Sequence, residues 1–223
     1  MNRRVGTAAV RPRLTPGGRP QRGIFVTVDG PNGVGKTSSL AVLHRLLRRD
    51  GLPVRLTAEP STSALGKFVR RAHTRITGLP LACLVAADRY EHLTREIEPA
   101  LAKGHIVVCD RYIESSLVFQ VLDGVDTKVI WRLNSQIRRP DLSVLLLATA
   151  RVLNERLDRR GRQGRYELHK ASSGEELSLY RRLRPLLSRR GFNSVTMECS
   201  SLTIGAVARR LRRLILEIVQ TSR

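Results

Sequence analysis

The chain predicts an α/β fold with a five-stranded parallel sheet covered by helices on both faces. Three observations predict it. The first is Gly30-Pro31-Asn32-Gly33-Val34-Gly35-Lys36-Thr37, a glycine-rich G-x-x-x-x-G-K-[ST] stretch between an apolar run and a helical one. Strand, glycine-rich loop and helix make a P-loop, which places the fold among the P-loop three-layer sandwiches. The second is the regular alternation of short apolar runs with amphipathic stretches along the rest of the chain. The third is size: 223 residues suit one α/β domain, and no apolar run reaches the length of a membrane span.

The elements follow in order. Gly23–Asp29 reads as a buried strand and Ser38 to Arg49 as the helix after the loop. Leu40, Val42, Leu43, Leu46 and Leu47 line one face of that helix, and Gly51 ends it. Pro53–Thr57 is a second strand, and Ala58 to Arg70 is a loop entering a helix. Leu81 to Lys103 reads as a longer helix stopped by Gly104. His105–Asp110 is the third strand, and Leu142–Leu147, after the turn Arg139-Pro140-Asp141, the fourth. A helix beginning near Arg151 leads into an arginine-rich stretch at 156–169. Glu175 to Arg190 is a further helix, Phe192 to Glu198 the fifth strand, and Thr203 to Val219 a closing amphipathic helix. Residues 1–22 hold six arginines, no acid, and Pro12, Pro16 and Pro20, so they read as a disordered basic tail. They lack the apolar core of a secretory leader. The folded domain is then 23–223.

The loop carries the chemistry. Its glycines let backbone N–H groups turn around a polyphosphate, and the following helix adds its positive N-terminal end. Lys36 is placed to reach the β- and γ-phosphates, and the Thr37 hydroxyl to ligate Mg²⁺. Gly30, Pro31, Asn32, Gly33, Val34, Gly35, Lys36, Thr37 and Ser38 form the expected set that binds a nucleoside triphosphate. Asp110 closes an apolar strand, as either a second Mg²⁺ ligand or a helix cap. The stretch from Arg156 through Arg160 to Arg165 has five arginines around Gly161 and Gly164. It reads as a lid whose guanidinium forks close over transferring phosphates, or as a solvated charged loop.

The formal net charge is +21, and only five of the forty basic residues are lysine. Phosphate-rich substrates use some of that charge. Aromatic residues are too scarce to build stacking platforms for single strands, so nucleic acid is not expected as the main partner. Cys83, Cys109 and Cys199 form no C-x-x-C pair, which points to buried free thiols in a reducing cytoplasm rather than a zinc site.

Asp29-Gly30 with the loop, Glu59-Pro60, Leu65-Gly66 with Arg70, Ala87-Asp88-Arg89, Asp110-Arg111-Tyr112 with Ser115-Ser116 and Phe119-Gln120, Arg139-Pro140-Asp141-Leu142, and Arg165-Tyr166-Glu167 follow one another along the chain. In this order and spacing the chain resembles thymidylate kinases, P-loop enzymes that phosphorylate dTMP with ATP. The resemblance runs over about residues 24 to 220.

The resemblance implies ATP and Mg²⁺, a nucleoside monophosphate acceptor and a dimer built through helices. It implies substrate contacts from Asp29, Glu59, Arg70, Arg89, Arg111, Ser115, Ser116 and Phe119. Arg70 and Arg111 would grip the acceptor phosphate, Arg89 the base, and Phe119 would sit against the deoxyribose. No arginine lies between Gly30 and Thr37, so Arg156, Arg160 and Arg165 would supply the catalytic guanidinium groups beside Lys36 and Arg111.

The chain departs from the family pattern at five places. Asn32 stands where many members have Asp, Ala58 where an arginine often precedes Glu-Pro, and Val85 where a phenylalanine often stacks on thymine. Ala148 and Gly164 each replace a common acid. Three acceptor readings follow: dTMP, a different nucleotide or phosphorylated metabolite, or a nucleic-acid-associated ATP-binding protein with little kinase activity.

Overall fold

A computed structural model of the chain describes residues 22–162, 165–168 and 172–221. The tail assigned to 1–22 lies outside these except for exposed Arg22, which pairs with Asp141 at 3.1 Å. Five strands, β1 (Ile24–Asp29), β2 (Val54–Ala58), β3 (Ile106–Asp110), β4 (Leu142–Leu147) and β5 (Ser194–Glu198), form one parallel sheet in the order β2-β3-β1-β4-β5. Each strand sits within one or two residues of its apolar run in the sequence. β1 and β4 are buried along their whole length, as the central strands of a doubly covered sheet must be.

The strand order reverses at β1, with β3 on one side and β4 on the other. Crevices for ligands open at such a reversal, beyond the carboxyl ends of the strands. Register brings the chemistry there: Val28 pairs with Asp110 and Asp29 with Leu145, so the loop after β1 lies beside the end of β3.

Helices cover the sheet. They are α1 (Lys36–Arg49), α2 (Ala64–Ala72), α3 (Gly78–His92), α4 (Glu98–Ala102), α5 (Ile113–Leu122), α6 (Thr127–Leu133), α7 (Ala150–Arg160), α8 (Arg165–Leu168), α9 (Ser172–Ser188) and α10 (Ile204–Thr221). In α10, Val207, Ala208, Leu211, Ile215 and Val219 form one buried stripe at helical spacing, and it packs against α1.

The structure corrects the sequence reading at several points. The helix read as Leu81 to Lys103 is broken by a π-helical turn at Leu93–Ile97. Pro99 follows it and has no N–H to give the carbonyl four residues back, which widens the preceding turn. Cys109 and Cys199 are buried free thiols as expected, but Cys83 is exposed, because it lies on the outer side of α3. The first residues of the stretch read as a lid, Arg156 to Arg160, are the last turn of α7. No helix among the described residues is long and apolar enough to cross a membrane.

Candidate active site

The loop is built by its glycines. Gly30 has φ +151°, and a Cβ there would meet the Leu146 carbonyl oxygen at 2.2 Å, so only glycine lets β1 turn over β4. Gly35, at φ +97°, opens α1 without any side-chain cap, and no acid lies in the first turn. The first amides of α1 are therefore left as donors for an anion. Lys36 folds back over the loop and donates to Gly30 O at 2.5 Å and Pro31 O at 3.0 Å. Burial and the neighbouring Arg111 lower its pKa to about 8, against the pull of Asp110, Asp29 and Glu176.

Next to the loop, the Thr37 hydroxyl donates to Asp110 Oδ2 at 2.9 Å. Asp110 Oδ1 is buried and has no protein partner. A hydroxyl beside a carboxylate with one unpartnered oxygen is a fitting donor set for a hard divalent cation. Mg²⁺ takes one or two such groups together with phosphate oxygens and water. Among the described residues no cluster of three or more His, Cys, Asp or Glu offers an all-protein cage.

Immediately after Asp110, Arg111 adopts φ 73°, a left-handed conformation unusual for a residue other than glycine. The turn is held by Arg111 N donating to Val28 O at 3.1 Å. It aims the guanidinium back over the loop. Nη2 donates to Asn32 Oδ1 at 2.7 Å and Nη1 to Ser115 Oγ at 2.9 Å. The group also lies 5.2 Å over the Phe119 ring.

Two cavities meet at this point. One, of about 540 Å³, is lined by loop residues from Asn32 to Ser39, by Asp110 and Arg111, and by Arg156, Arg159 and Arg160 of α7; Leu202 to Ile204 and Val207 close its far side. The other, of about 250 Å³, is lined by Glu59, Arg70, Val85, Arg89, Ser115, Ser116, Phe119 and Tyr166, among others. Asn32 and Arg111 line both.

Most of the residues singled out from sequence thus converge, with differences in detail. Asp29 lies beneath the cavities rather than on their walls: its Oδ1 accepts from Gly30 N (2.8 Å), Ser115 Oγ (3.0 Å) and Tyr180 Oη (2.8 Å). Gly30 and Pro31 shape the loop and offer their carbonyls to Lys36. Arg89 is 1% exposed and engaged in four hydrogen bonds, to Glu59 Oε2 (2.8 Å), Asn134 Oδ1 (2.6 Å), Tyr112 O (3.0 Å) and Ser116 Oγ (2.9 Å). Glu59 is in this way a partner of Arg89 first. Arg70 donates to Ser61 O at 2.5 Å. Arg156 donates to Val34 O at 3.0 Å, over the loop. The backbone of Arg165 belongs to α8, and its side chain lies outside the described part.

Sequence reasoning missed several residues. Tyr166 packs against Phe119, the rings tilted by 43° with centroids 4.7 Å apart, and donates to Asp123 Oδ2 at 2.8 Å. Glu176 and Tyr180 of α9 reach the loop and Asp29. Burial and the Asp29 charge push the Tyr180 phenol well up, so it stays a donor. Glu114, fully buried, accepts from Thr27 Oγ1 at 2.8 Å and from Ser143 Oγ. One signal was available. Glu176 adjoins the stripe Leu177, Tyr180, Leu183 and Leu187, whose helical spacing marks the buried face of α9.

The chain is similar to known proteins over most of its length. The thymidylate kinase family model matches residues 28–209. A probable thymidylate kinase of Caldivirga maquilingensis is 41% identical over 142 residues, covering 62% of this chain and 69% of that protein. A probable thymidylate kinase of Pyrococcus horikoshii is 38% identical over 148 residues, 63% of this chain and 72% of that protein. A thymidylate kinase of Halalkalibacterium halodurans is 39% identical over 133 residues, 56% of this chain and 63% of that protein. The matched span takes in the glycine-rich loop, the Asp110–Arg111 turn and the arginines of α7: this chain belongs to the thymidylate kinase family.

Proposed function

We propose that this chain transfers the γ-phosphoryl group of ATP to the phosphate of dTMP, giving ADP and dTDP. One observation carries the reading: two cavities, one walled by a phosphate-binding loop and one by apolar and hydrogen-bonding side chains, share Asn32 and Arg111. Two anions that must react have to be brought together with their charge neutralised and water kept out, and little covalent chemistry is required of the protein.

In this reading the loop amides and Lys36 hold the triphosphate in the larger cavity. Leu202, Ile204 and Val207 face the nucleoside end of ATP. Thr37 and Asp110 hold Mg²⁺, which when bound neutralises charge on the phosphate oxygens. Arg70 and Arg111 hold the acceptor phosphate. Phe119 lies against the deoxyribose, Arg89 with Ser116 faces the base, and Val69, Leu81 and Val85 give the base an apolar wall. Arg156 and Arg160 stand over the transferring group from α7. Phe68 on α2 and Leu79 on α3, 45% and 50% exposed, support a homodimer built through these helices, which a native mass measurement tests.

The test is a coupled assay of ADP release over a panel of nucleoside monophosphates. Turnover is expected to be best with dTMP. A second reading, a kinase of another acceptor, draws on Val85, which leaves its wall of the smaller cavity without an aromatic ring. Turnover only with another acceptor selects that reading. No turnover with any acceptor overturns both.

A further inference from the structure

Helix α9 follows the arginine-rich stretch in the chain and packs on α5, α7 and β4. Two of its side chains, one turn apart, reach the junction of the cavities. Tyr180 donates to Asp29 at 2.8 Å, beneath the loop. Glu176 is 3% exposed, and its Oε1 accepts from the backbone N–H of Asn32 at 2.9 Å. The adjacent Glu175 is exposed, so this helix also offers a solvated place for a carboxylate. A buried one is costly unless it is paired and hydrogen-bonded.

Glu176 lines neither cavity, so it is not placed to touch a nucleotide. Its partner does line them. Asn32 is gripped at two ends: its backbone N–H goes to Glu176, and its side-chain Oδ1 accepts from Arg111 Nη2 at 2.7 Å. Asn32 and Arg111 are the two residues common to both cavities. A relay of two hydrogen bonds therefore joins α9 to the guanidinium at the shared wall.

We propose that Glu176 is a positioning residue for phosphoryl transfer. By holding the Asn32 N–H it fixes Asn32 Oδ1, and through it the Arg111 fork, where the two phosphates meet. Misplacement of such a group by about 1 Å can cost on the order of 100-fold in rate. The inference rests on the phosphoryl-transfer reading above.

Two conservative variants separate reach from charge. Glu176→Gln keeps an acceptor at the same reach and loses the charge. Glu176→Asp keeps the charge and falls short by one methylene. Steady-state kinetics with ATP and dTMP are measured on the native chain and both variants, with thermal melts to confirm folding. We expect kcat of Glu176→Asp to be at least five-fold below that of Glu176→Gln, with the dTMP KM of the two within three-fold of each other. In an Asn32→Ala background the difference in kcat between the two should fall below two-fold.

A kcat difference under five-fold, the reverse order, a loss carried by KM, or a difference that persists without the Asn32 side chain overturns the proposal. Should Glu176→Asp not fold, Glu176→Ala takes its place in the same comparison. Absence of turnover in the native chain defeats the kinase reading instead, so the two failures are told apart.

Discussion

Arg160 Nη2 donates to Glu167 Oε2 at 2.6 Å, and the two residues belong to different cavities: Arg160 lines the larger and Glu167 the smaller. The carboxylate side of the pair is nearly buried and the guanidinium is half-exposed. Glu167 thus restrains an arginine that stands over the phosphate-binding loop, and does so from the acceptor side. Arg160→Ala is expected to lower kcat about 100-fold, the usual effect of losing one donor to a developing charge. Glu167→Gln should lower it about ten-fold. Because they act as a unit, the double variant should be little worse than Arg160→Ala alone. Multiplication of the two losses would mean that they act independently.

Lys36→Ala should lower turnover at least about 1000-fold, because the ammonium is both a phosphate donor and the tie across the loop. The far-UV circular dichroism spectrum should stay unchanged, since the loop is held by β1, β4 and α1. Native-like turnover in this variant would defeat the mechanism.

Glu114 makes folding depend on pH. Burial, reinforced by Asp29, raises its pKa from 4.5 to about 7, against the hydrogen bonds from Ser143 and Thr27. Its Oε2 is buried and unpartnered. The folded pKa lies above the unfolded one, so between about pH 4.5 and 7 the native chain holds a proton that the unfolded chain releases. Stability from this group therefore falls as pH rises through that window, by on the order of 3 kcal/mol in all. Glu114→Gln removes the dependence. Urea unfolding at intervals from pH 4.5 to 7.5 should show the variant gaining about that much relative to the native chain. A constant difference across the range would contradict the assignment.

Val85→Phe places a ring on the wall of the smaller cavity. A stacked ring contributes about 0.5–1.5 kcal/mol beyond its buried area, so the dTMP KM should fall roughly two- to ten-fold with kcat little changed. A raised KM would show that the wall is shaped for a different acceptor.

The sequence carried the site unevenly, and the reasons are physical. The P-loop was legible because its chemistry is local: glycines, a lysine and a threonine at fixed spacing demand one backbone shape. The strands were legible because central parallel strands are apolar on both faces, as Ile24–Asp29 and Leu142–Leu147 are. The contact of Glu176 with Asn32 spans 144 residues and uses a backbone N–H, which leaves no mark in residue type. Glu114 was equally hidden, since an acid in the first turn of a helix is ordinarily exposed there. For Arg89 the resemblance implies a base contact, but nothing in residue type or spacing marks the meeting of Glu59, Asn134, Tyr112 and Ser116 on its guanidinium.

That convergence on Arg89 limits how acceptor preference can be redesigned. A cation tethered on four sides and almost sealed from solvent cannot be swapped for another recognition group without stranding a carboxylate, an amide and a hydroxyl in the interior. Variation aimed at a new nucleobase should therefore be directed at Val69, Leu81 and Val85, whose aliphatic surfaces can be reshaped while the polar scaffold behind them stays in place.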